Sequence, residues 1–185
     1  MLTEQKARLF REPTSAGGAS ALEEILDSVG SNGLFVLVGS GDPEYERYMS
    51  EIATRYARFV FLNGYSEPLA DSLYAGGDLF LMPSSFEPCG ISQMLAMRAG
   101  QPCVVHGVGG LKDTVDDNVN GFVFDGDTPS EQAQAFVRRV REAIALRRTA
   151  IGRWQRLQRA AESARFSWDD SAARYGELVY GFGHD

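Results

Sequence analysis

The sequence predicts an α/β fold in which helices cover both faces of a parallel sheet. Short apolar runs alternate with helical periodicity between about residues 20 and 150, which is typical of this arrangement. Most of the runs lack polar alternation, as expected for strands that are buried on both faces. After Pro129 only helical patterns follow. We therefore expect a domain at residues 1–150 and a helical tail at residues 151–185 that packs back on it.

The strands and helices alternate regularly along the chain. Five runs are predicted strands because they are short and most are apolar without alternation: 34–38, 59–62, 79–82, 103–106 and 122–124. Helical patterns predict helices at about 21–29, 43–56, 68–75, 91–99 and 111–116, and in the tail at 130–148, 151–164 and 168–180. The loop at residues 11–20 contains proline and several small residues and is expected to be mobile.

Residues at the helix ends support these bounds. Asp42 precedes Pro43, and an N-cap carboxylate followed by proline is a typical helix start. Gly30, Gly76 and Gly100 fall where three helices should end. Glycine is favoured there because it readily adopts the left-handed conformation that terminates helices.

The composition limits the partners of this chain. With 185 residues and 44% hydrophobic content, it can bury one ordinary core. Its formal charge of -7 argues against nucleic acid and anionic membranes as partners, because both attract positively charged surfaces. The sequence has no leader pattern and no apolar segment of membrane-spanning length. Any phosphate site must therefore be built locally.

The cysteines and histidines give no metal or disulfide pattern. Cys89 and Cys103 are too few for a disulfide framework, and neither has ligand spacing with His106 or His184. We therefore expect a cytoplasmic protein without a metal site, and the family resemblance given below implies no cofactor. Cys89 has no histidine in its motif, so that a small buried thiol is favoured over a nucleophile.

The most informative segment is the run SSFEPCGISQ at residues 84–93. Glu87 follows a predicted strand and precedes a predicted helix, whose first N–H groups would lie near Gly90. A phosphate could bind these groups while Glu87 holds sugar hydroxyls, since open α/β sheets bind ligands at the carboxyl ends of their strands. An acidic residue there could equally only complement the helix dipole, a surface effect of about 0.3–1 kcal/mol. Spacing alone leaves both interpretations open.

The next strand end carries two glycines at the same edge of the sheet. Gly109 and Gly110 permit close backbone approach to a ligand, but a tight turn would need them as well. Lys112 follows and is expected to be a solvated lysine in the first helical turn. His106 ends the strand and could donate to a sugar hydroxyl, although a structural role is the more common one for such a histidine.

Two earlier strand ends could contribute to a nucleotide pocket. Gly39 and Gly41 resemble part of a dinucleotide fingerprint, but the third glycine is absent. A turn capped by Asp42 is therefore favoured over direct pyrophosphate binding, and the turn could still form a wall of the pocket. Tyr65 follows the second strand, where its ring could stack on a base or cover the core.

Six motifs together resemble those of bacterial glycogen synthases and plant starch synthases, in the same order and spacing. They are LTEQK at 2–6, VGSGD at 38–42, GYS at 64–66, FLMPSSFEPCG at 80–90, GGLKDTV at 109–115 and GFVF at 121–124. The resemblance covers nearly the whole chain, and the predicted helix 168–180 looks like the family's terminal segment. It implies a GT-B fold, in which two Rossmann-like domains face each other across a cleft. This chain looks like the C-terminal domain, which holds the nucleotide sugar.

The resemblance also implies a role for each matched residue. Lys6 would contact the phosphates of the donor, and Glu87 would contact the hydroxyls of its glucose. Backbone N–H groups of Cys89, Gly90 and Ile91 would bind the phosphates. Tyr65 would stack near the adenine, and Gly109 and Gly110 would border the sugar.

The reaction implied is the transfer of glucose from ADP-glucose or UDP-glucose to the 4-hydroxyl of an α-1,4-glucan end. Configuration is retained and no metal takes part. Departure of the nucleoside diphosphate leaves positive charge on the glucose, so that cations on the phosphates and oriented dipoles should provide the catalysis. Glu87 would orient and stabilise the sugar rather than attack it.

Three departures from the family pattern limit this expectation. Met1 stands where the family has an arginine directly before Leu2, which removes one phosphate-binding cation. Leu95 stands where related GT-B families carry a second glutamate, which leaves Glu87 as the donor-binding carboxylate. The N-terminal domain, which would contact most of the glucan acceptor, is absent, so the chain alone is expected to be inactive.

The resemblance further implies that the first, central strand of the domain would end just before Leu2. We therefore expect residues 1–3 to form at most a stub of that strand, between the first and third predicted strands. Two half-sheets would then face each other with open edges, through which copies of the chain could associate.

Two other function classes remain open at this point. The first is a non-catalytic module that senses nucleotide sugar or glucan, although retention of both Lys6 and Glu87 weighs against it. The second is another GT-B enzyme, such as a sucrose-forming transferase or an epimerase. The run around Glu87 and the GFVF motif weigh against that alternative.

Overall fold

The computed structural model describes residues 2–181, which fold into five strands and nine helices with parallel strand pairing. Met1 and His184 lie outside the described residues. The strands are β1 (Phe35–Gly39), β2 (Phe59–Asn63), β3 (Phe80–Met82), β4 (Cys103–His106) and β5 (Gly121–Phe124). The helices are α1 (Glu4–Arg11), α2 (Ala21–Val29), α3 (Pro43–Arg55), α4 (Glu67–Gly76), α5 (Ser92–Arg98), α6 (Leu111–Thr114), α7 (Pro129–Thr149), α8 (Ile151–Ser163) and α9 (Trp168–Tyr180). The predicted α/β architecture is confirmed.

The helix ends follow the predicted local chemistry. Asp42 caps α3, because its carboxylate accepts the Glu44 N–H at 2.8 Å and Pro43 occupies the first turn. Gly30 ends α2 with a φ of 67° and Gly100 follows α5 with a φ of 79°. These are left-handed conformations that glycine adopts without strain.

Helix α1 is the one element that the sequence pattern did not predict. It spans eight residues, and its N-cap Thr3 makes no side-chain hydrogen bond. The helix packs on α2, α3 and α7, and buries Leu9 and Phe10. A helix this short is marginal without tertiary contacts, so the contacts of α1 with the core explain its formation.

Hydrogen bonds connect the loop at residues 11–20 to itself and to α7, and its expected mobility stays a prediction. Pro13 and Ser20 form an isolated antiparallel bridge. The carbonyl of Thr14 also accepts a hydrogen bond from the Gln134 side chain at 2.7 Å. The attachment of this loop to α7 depends on a residue 120 positions away.

The strands form two separate sheets, as expected. β1 pairs with β2, while β4 lies between β3 and β5, and all the pairs are parallel. The five residues of β1 are only half-buried, and those of β4 are fully buried. Within residues 2–181, β1 pairs with β2 along one edge and with no strand along the other, which accounts for its exposure.

Residues 2–5 connect the two sheets at their carboxyl ends. Leu2 forms an isolated parallel bridge with Gly41, donating its N–H to the Ser40 carbonyl and accepting from the Asp42 N–H, both at 2.8 Å. On the other side, the carbonyl of Gln5 accepts from the Ser85 N–H at 2.7 Å. The predicted stub is therefore present at Leu2, and α1 follows it directly.

Alternate residues of β4 contact two core clusters on opposite faces of the sheet. Val104 belongs to the larger cluster, which includes side chains of α1, α2, α3 and α7. Cys103 and Val105 belong to the smaller cluster with side chains of α5 and α6. Helix α8 reaches both clusters, with Trp154 in the larger and Ala161 in the smaller. This alternation is the period-two geometry of a strand covered on both faces.

We predict that Gly41→Ala destabilises the chain. A Cβ at residue 41 would overlap the carbonyl of Leu2, so the bridge that connects the sheets must shift. We expect the free energy of unfolding to fall by about 1–3 kcal/mol, measured by chemical denaturation.

The control for this prediction is Gly152→Ala in α8, where the added Cβ meets open space. Alanine is favoured over glycine in a helix by about 0.5–1 kcal/mol, so that this variant should be neutral or more stable. Equal stability of the Gly41→Ala variant and the unsubstituted chain would contradict the structural role of the bridge.

Candidate functional site

The candidate site lies at the carboxyl ends of the strands, where Lys6 and Glu87 meet. Lys6 Nζ is 3.3 Å from Glu87 Oε2. The Glu87 side chain is 10% exposed and that of Lys6 is 44% exposed, so the carboxylate is nearly buried and the ammonium reaches solvent. The Ser84 hydroxyl donates to the same carboxylate oxygen at 3.4 Å. The fold thus brings together two predicted residues from separate motifs.

Helix α1 positions Lys6 through its connection to the loop after β3. The carbonyl of Gln5 accepts from both the N–H and the hydroxyl of Ser85, at 2.7 and 3.1 Å. Lys6 is the next residue along the helix, and Glu87 follows Ser85 by two residues. The same backbone contact therefore sets the distance between the two charged side chains.

Gly109 and Gly110 pack against the backbone of the loop that carries Glu87. The Gly110 N–H donates to the Glu87 carbonyl at 3.1 Å. A Cβ at Gly109 would overlap the Glu87 carbonyl oxygen, and one at Gly110 would lie 2.5 Å from the Cys89 carbonyl oxygen. In this structure the two glycines allow close approach to the loop itself. Their contact with a sugar stays a prediction.

The segment from Cys89 to Ile91 presents backbone N–H groups without backbone partners. Within residues 2–181, the N–H groups of Cys89, Gly90 and Ile91 donate to no backbone carbonyl. Gly90 has a φ of 74°, a left-handed conformation that suits glycine. Ile91 precedes α5 as its N-cap and is 68% exposed. Such consecutive N–H groups can bind an anion.

Gln93 supports this segment from behind and was not among the predicted site residues. Its side chain is fully buried, and its Nε2 donates to the Cys89 carbonyl at 3.3 Å and to the Thr114 hydroxyl at 3.2 Å. The Thr114 hydroxyl donates to the Gly110 carbonyl at 2.9 Å. The sequence showed only a glutamine at the start of a predicted helix. This residue type would fit an exposed position equally well, so that nothing indicated its supporting role.

The turn after β1 is occupied by an internal carboxylate. Glu46 accepts from the Gly41 N–H at 2.6 Å and from the Asn63 side chain at 3.0 Å. The Gly41 N–H is therefore already paired, which fits the capped turn favoured from the sequence. Gly39 lies against the Leu2 side chain. The wall that Gly39 and Gly41 would form in a nucleotide pocket stays a prediction.

Tyr65 and Cys89 are both exposed. Tyr65 follows β2 and is 84% exposed, so that it does not cover the core.

Cys89 is exposed at the candidate site, contrary to the buried thiol that its small size favoured, while Cys103 is buried. In this loop Glu87 and Gly90 are buried, while Pro88 and Cys89 between them are exposed. Burial raises the pKa of the Cys103 thiol.

A surface groove lies away from the candidate site. A groove of about 510 Å³ is lined by α2 and α7, including Glu24, Gln134 and Arg141. None of its lining residues belongs to the candidate site. No helix among the described residues is long and apolar enough to cross a membrane.

Comparison with known proteins identifies close relatives. Residues 18–142 match the family model described as glycosyl transferases group 1. A glycogen synthase of Desulfitobacterium hafniense is 40% identical over 169 residues, covering 87% of this chain and 35% of the relative. A glycogen synthase of Moorella thermoacetica is 38% identical over 178 residues, covering 92% of this chain and 36% of the relative. This chain thus spans about a third of the length of these relatives.

Solved structures show the same fold. The catalytic domain of Starch Synthase IV from Arabidopsis thaliana, bound to ADP and acarbose, superposes with a TM-score of 0.73 at 34% identity. The match covers 87% of this chain and 34% of that one. A sucrose-phosphate synthase from Thermosynechococcus elongatus superposes with a TM-score of 0.57 at 24% identity over 87% of this chain and 41% of that one. This second likeness shows the fold alone.

We predict that one of the two thiols reacts rapidly in the native chain. Cys89 is exposed, whereas Cys103 is fully buried and its raised pKa disfavours the thiolate. Titration with a chromogenic disulfide should show one fast thiol under native conditions and two in denaturant. Cys89→Ser should abolish the fast phase. Two fast thiols in the native chain would contradict the burial of Cys103.

Proposed function

The chain belongs to the glycosyl transferase group 1 family, and from this premise we propose that it is the donor-binding domain of a glucan synthase. The proposed reaction transfers glucose from ADP-glucose or UDP-glucose to the non-reducing end of an α-1,4-glucan. Relatives named glycogen synthase and the starch synthase bound to ADP and acarbose support this proposal. The observation that carries it is the Lys6–Glu87 pair beside the unpartnered N–H groups of residues 89–91.

This arrangement offers complementary groups to the two halves of a nucleotide sugar. Lys6 and the N–H groups of residues 89–91 supply positive charge and donors for a diphosphate. Glu87 supplies acceptors for sugar hydroxyls. Because the Lys6 ammonium and the Glu87 carboxylate are 3.3 Å apart, a sugar and its phosphate could each contact one member of the pair. The chain carries a net charge of -7, so this local positive charge is what would retain the diphosphate.

The proposed role of these residues in transfer is electrostatic. The bond between the anomeric carbon and the diphosphate breaks, and a bond to the acceptor 4-hydroxyl oxygen forms with retention. Lys6 and the loop N–H groups would stabilise the negative charge that develops on the departing diphosphate. Glu87 would hold and orient the glucose. We propose no metal and no cofactor for this step.

The remaining predicted contacts complete the proposed donor site. Tyr65, exposed at the end of β2, would stack on the adenine. Gly109 and Gly110 would border the sugar, and the turn containing Gly39 and Gly41 would wall the nucleotide. The glucan acceptor would mainly contact a second domain, so we expect the chain alone to be inactive. With two free cysteines, the cytoplasm is the proposed location.

We predict that Glu87→Ala separates sugar binding from nucleotide binding. Calorimetric titration should show that the chain binds ADP-glucose more tightly than ADP. In Glu87→Ala the affinity for ADP should persist while the gain from glucose is lost, a difference of about 1.5–3 kcal/mol for hydrogen bonds to a charged group.

The control is Glu51→Ala, an exposed carboxylate on α3 that should change neither affinity. Equal weakening of ADP and ADP-glucose by Glu87→Ala would refute the sugar contact. If neither ligand bound the unsubstituted chain at millimolar concentration, the proposal of a donor site within this chain would fail.

We predict that Lys6→Met weakens ADP and ADP-glucose by the same factor of about ten, because it removes one charge-assisted contact to phosphate. The salt dependence of binding should decrease as well, since a charge pair is screened by ions. Lys112→Met is the matched control, since Lys112 is the other lysine of the chain and is exposed on α6. A selective loss of ADP-glucose binding in Lys6→Met would contradict the phosphate role.

A further inference from the structure

His106 is a buried polar residue that the proposed donor site does not use. It is the last residue of β4 and only 2% exposed. Its ring stacks on Phe124, with centroids 5.0 Å apart and planes at 5°. A buried imidazole needs hydrogen-bond partners for its two nitrogens. Direct contact with a sugar hydroxyl, considered from the sequence, does not fit this burial.

The partners of His106 determine which ring nitrogen carries the hydrogen. Nδ1 lies 3.0 Å from the Ser84 carbonyl oxygen. A carbonyl can only accept, so that Nδ1 must be the donor. Nε2 has no hydrogen-bond partner among the described residues, and the Asp125 carboxylate is 3.5 Å away. In the neutral ring the hydrogen therefore resides on Nδ1.

The peptide group between Ser84 and Ser85 is held from both sides. Its carbonyl accepts from His106, and its N–H donates to the Gln5 carbonyl at 2.7 Å. His106 thus fixes this peptide from β4, while Gln5 fixes it from α1. Ser84 and His106 are both buried, so that solvent competes little with the contact between the His106 ring and the Ser84 carbonyl.

The orientation of this peptide controls the surroundings of Glu87. Ser84 is 1% exposed, and its hydroxyl donates to Glu87 Oε2 at 3.4 Å. The same carboxylate oxygen lies 3.3 Å from Lys6 Nζ. A shift of this peptide would displace Ser84, whose hydroxyl contacts the carboxylate, while Lys6 stays held by the packing of α1 on the core. The contact between Ser84 and the Glu87 carboxylate therefore depends on the peptide that His106 holds.

We propose that His106 is a positioning residue, which orients Glu87 for the glucose of the donor through the Ser84–Ser85 peptide. This inference rests on the proposed function, because it assigns His106 to the sugar contact of Glu87. The imidazole does not touch the ligand. It should affect the glucose-dependent part of the affinity and leave nucleotide binding unchanged.

Two variants of matched shape test this proposal. Asparagine and leucine have the same branched outline, and both lose the stacking on Phe124, but only asparagine can place an N–H donor where Nδ1 lies. The measured quantity is the ratio of the dissociation constants for ADP and ADP-glucose in the full chain. His106→Leu should lower this ratio about threefold to tenfold, the size of one hydrogen bond. His106→Asn should retain most of it.

Asp125→Asn is the control for charge near the ring. Asp125 contacts the other ring nitrogen and has no contact with Ser84, so this variant should keep the ratio. The affinity for ADP should change by less than about twofold in all three variants. Equal ratios for His106→Leu and the unsubstituted chain, or equal losses in the leucine and asparagine variants, would overturn the proposal. An equal loss in Asp125→Asn would overturn it as well.

A second measurement does not depend on ligand binding. Long-range proton–nitrogen correlation spectra of the unsubstituted chain should show the neutral His106 ring protonated at Nδ1. Signals are assigned through their absence in His106→Asn. A neutral ring protonated at Nε2 would overturn the contact with Ser84. If the spectra show Nδ1–H but the chain binds neither ADP nor ADP-glucose, the proposed function fails while the contact stands.

Discussion

The backbone hydrogen bonds of residues 2–5 are the constraint on which the rest of the site depends. They tie β1 through Leu2 and the loop after β3 through Gln5, at the end of the sheet where the candidate residues lie. The two sheets share no strand pairing among the described residues. Their alignment at this edge is therefore set by these few bonds together with the packing of α1 on the core.

The loop from Ser84 to Ile91 is held from several directions, which suits a preorganised site. Gln5 anchors it from α1, and His106 from β4. The Gly110 N–H and the Gln93 side chain hold the carbonyls of Glu87 and Cys89. Fixed dipoles can stabilise developing charge efficiently, because they do not have to reorganise during the reaction. The supporting residues are buried or backbone groups, whereas Lys6, Cys89 and Ile91 reach solvent.

Glycines at strand ends are usually taken to indicate contact with a ligand, but in this chain two of them make room for its own backbone. Gly41 and Gly110 are required because another backbone segment of the same chain passes where a side chain would lie. The close approach joins Leu2 to β1 and the turn after β4 to the loop after β3. Glycines at a strand end in an α/β fold can thus be needed to assemble a site, whether or not they also contact a ligand.

The sequence by itself determined the order of strands and helices, their capping and the carboxylate of the candidate site, Glu87. These features are local, because apolar periodicity, the Asp42–Pro43 start and the motif around Glu87 are all contained in short windows. The family motifs extended this reading to Lys6, which no local pattern would have distinguished from an ordinary surface lysine.

Only the tertiary structure decided how these parts are held together. Helix α1 forms because it packs on distant helices, Cys89 is exposed because its loop turns outward, and Gln93 and His106 support carbonyls that no sequence window connects to them. Each of these facts depends on contacts between residues far apart in the chain. Local propensity carries no information about such contacts, because their energy exists only once the sheets and helices have come together.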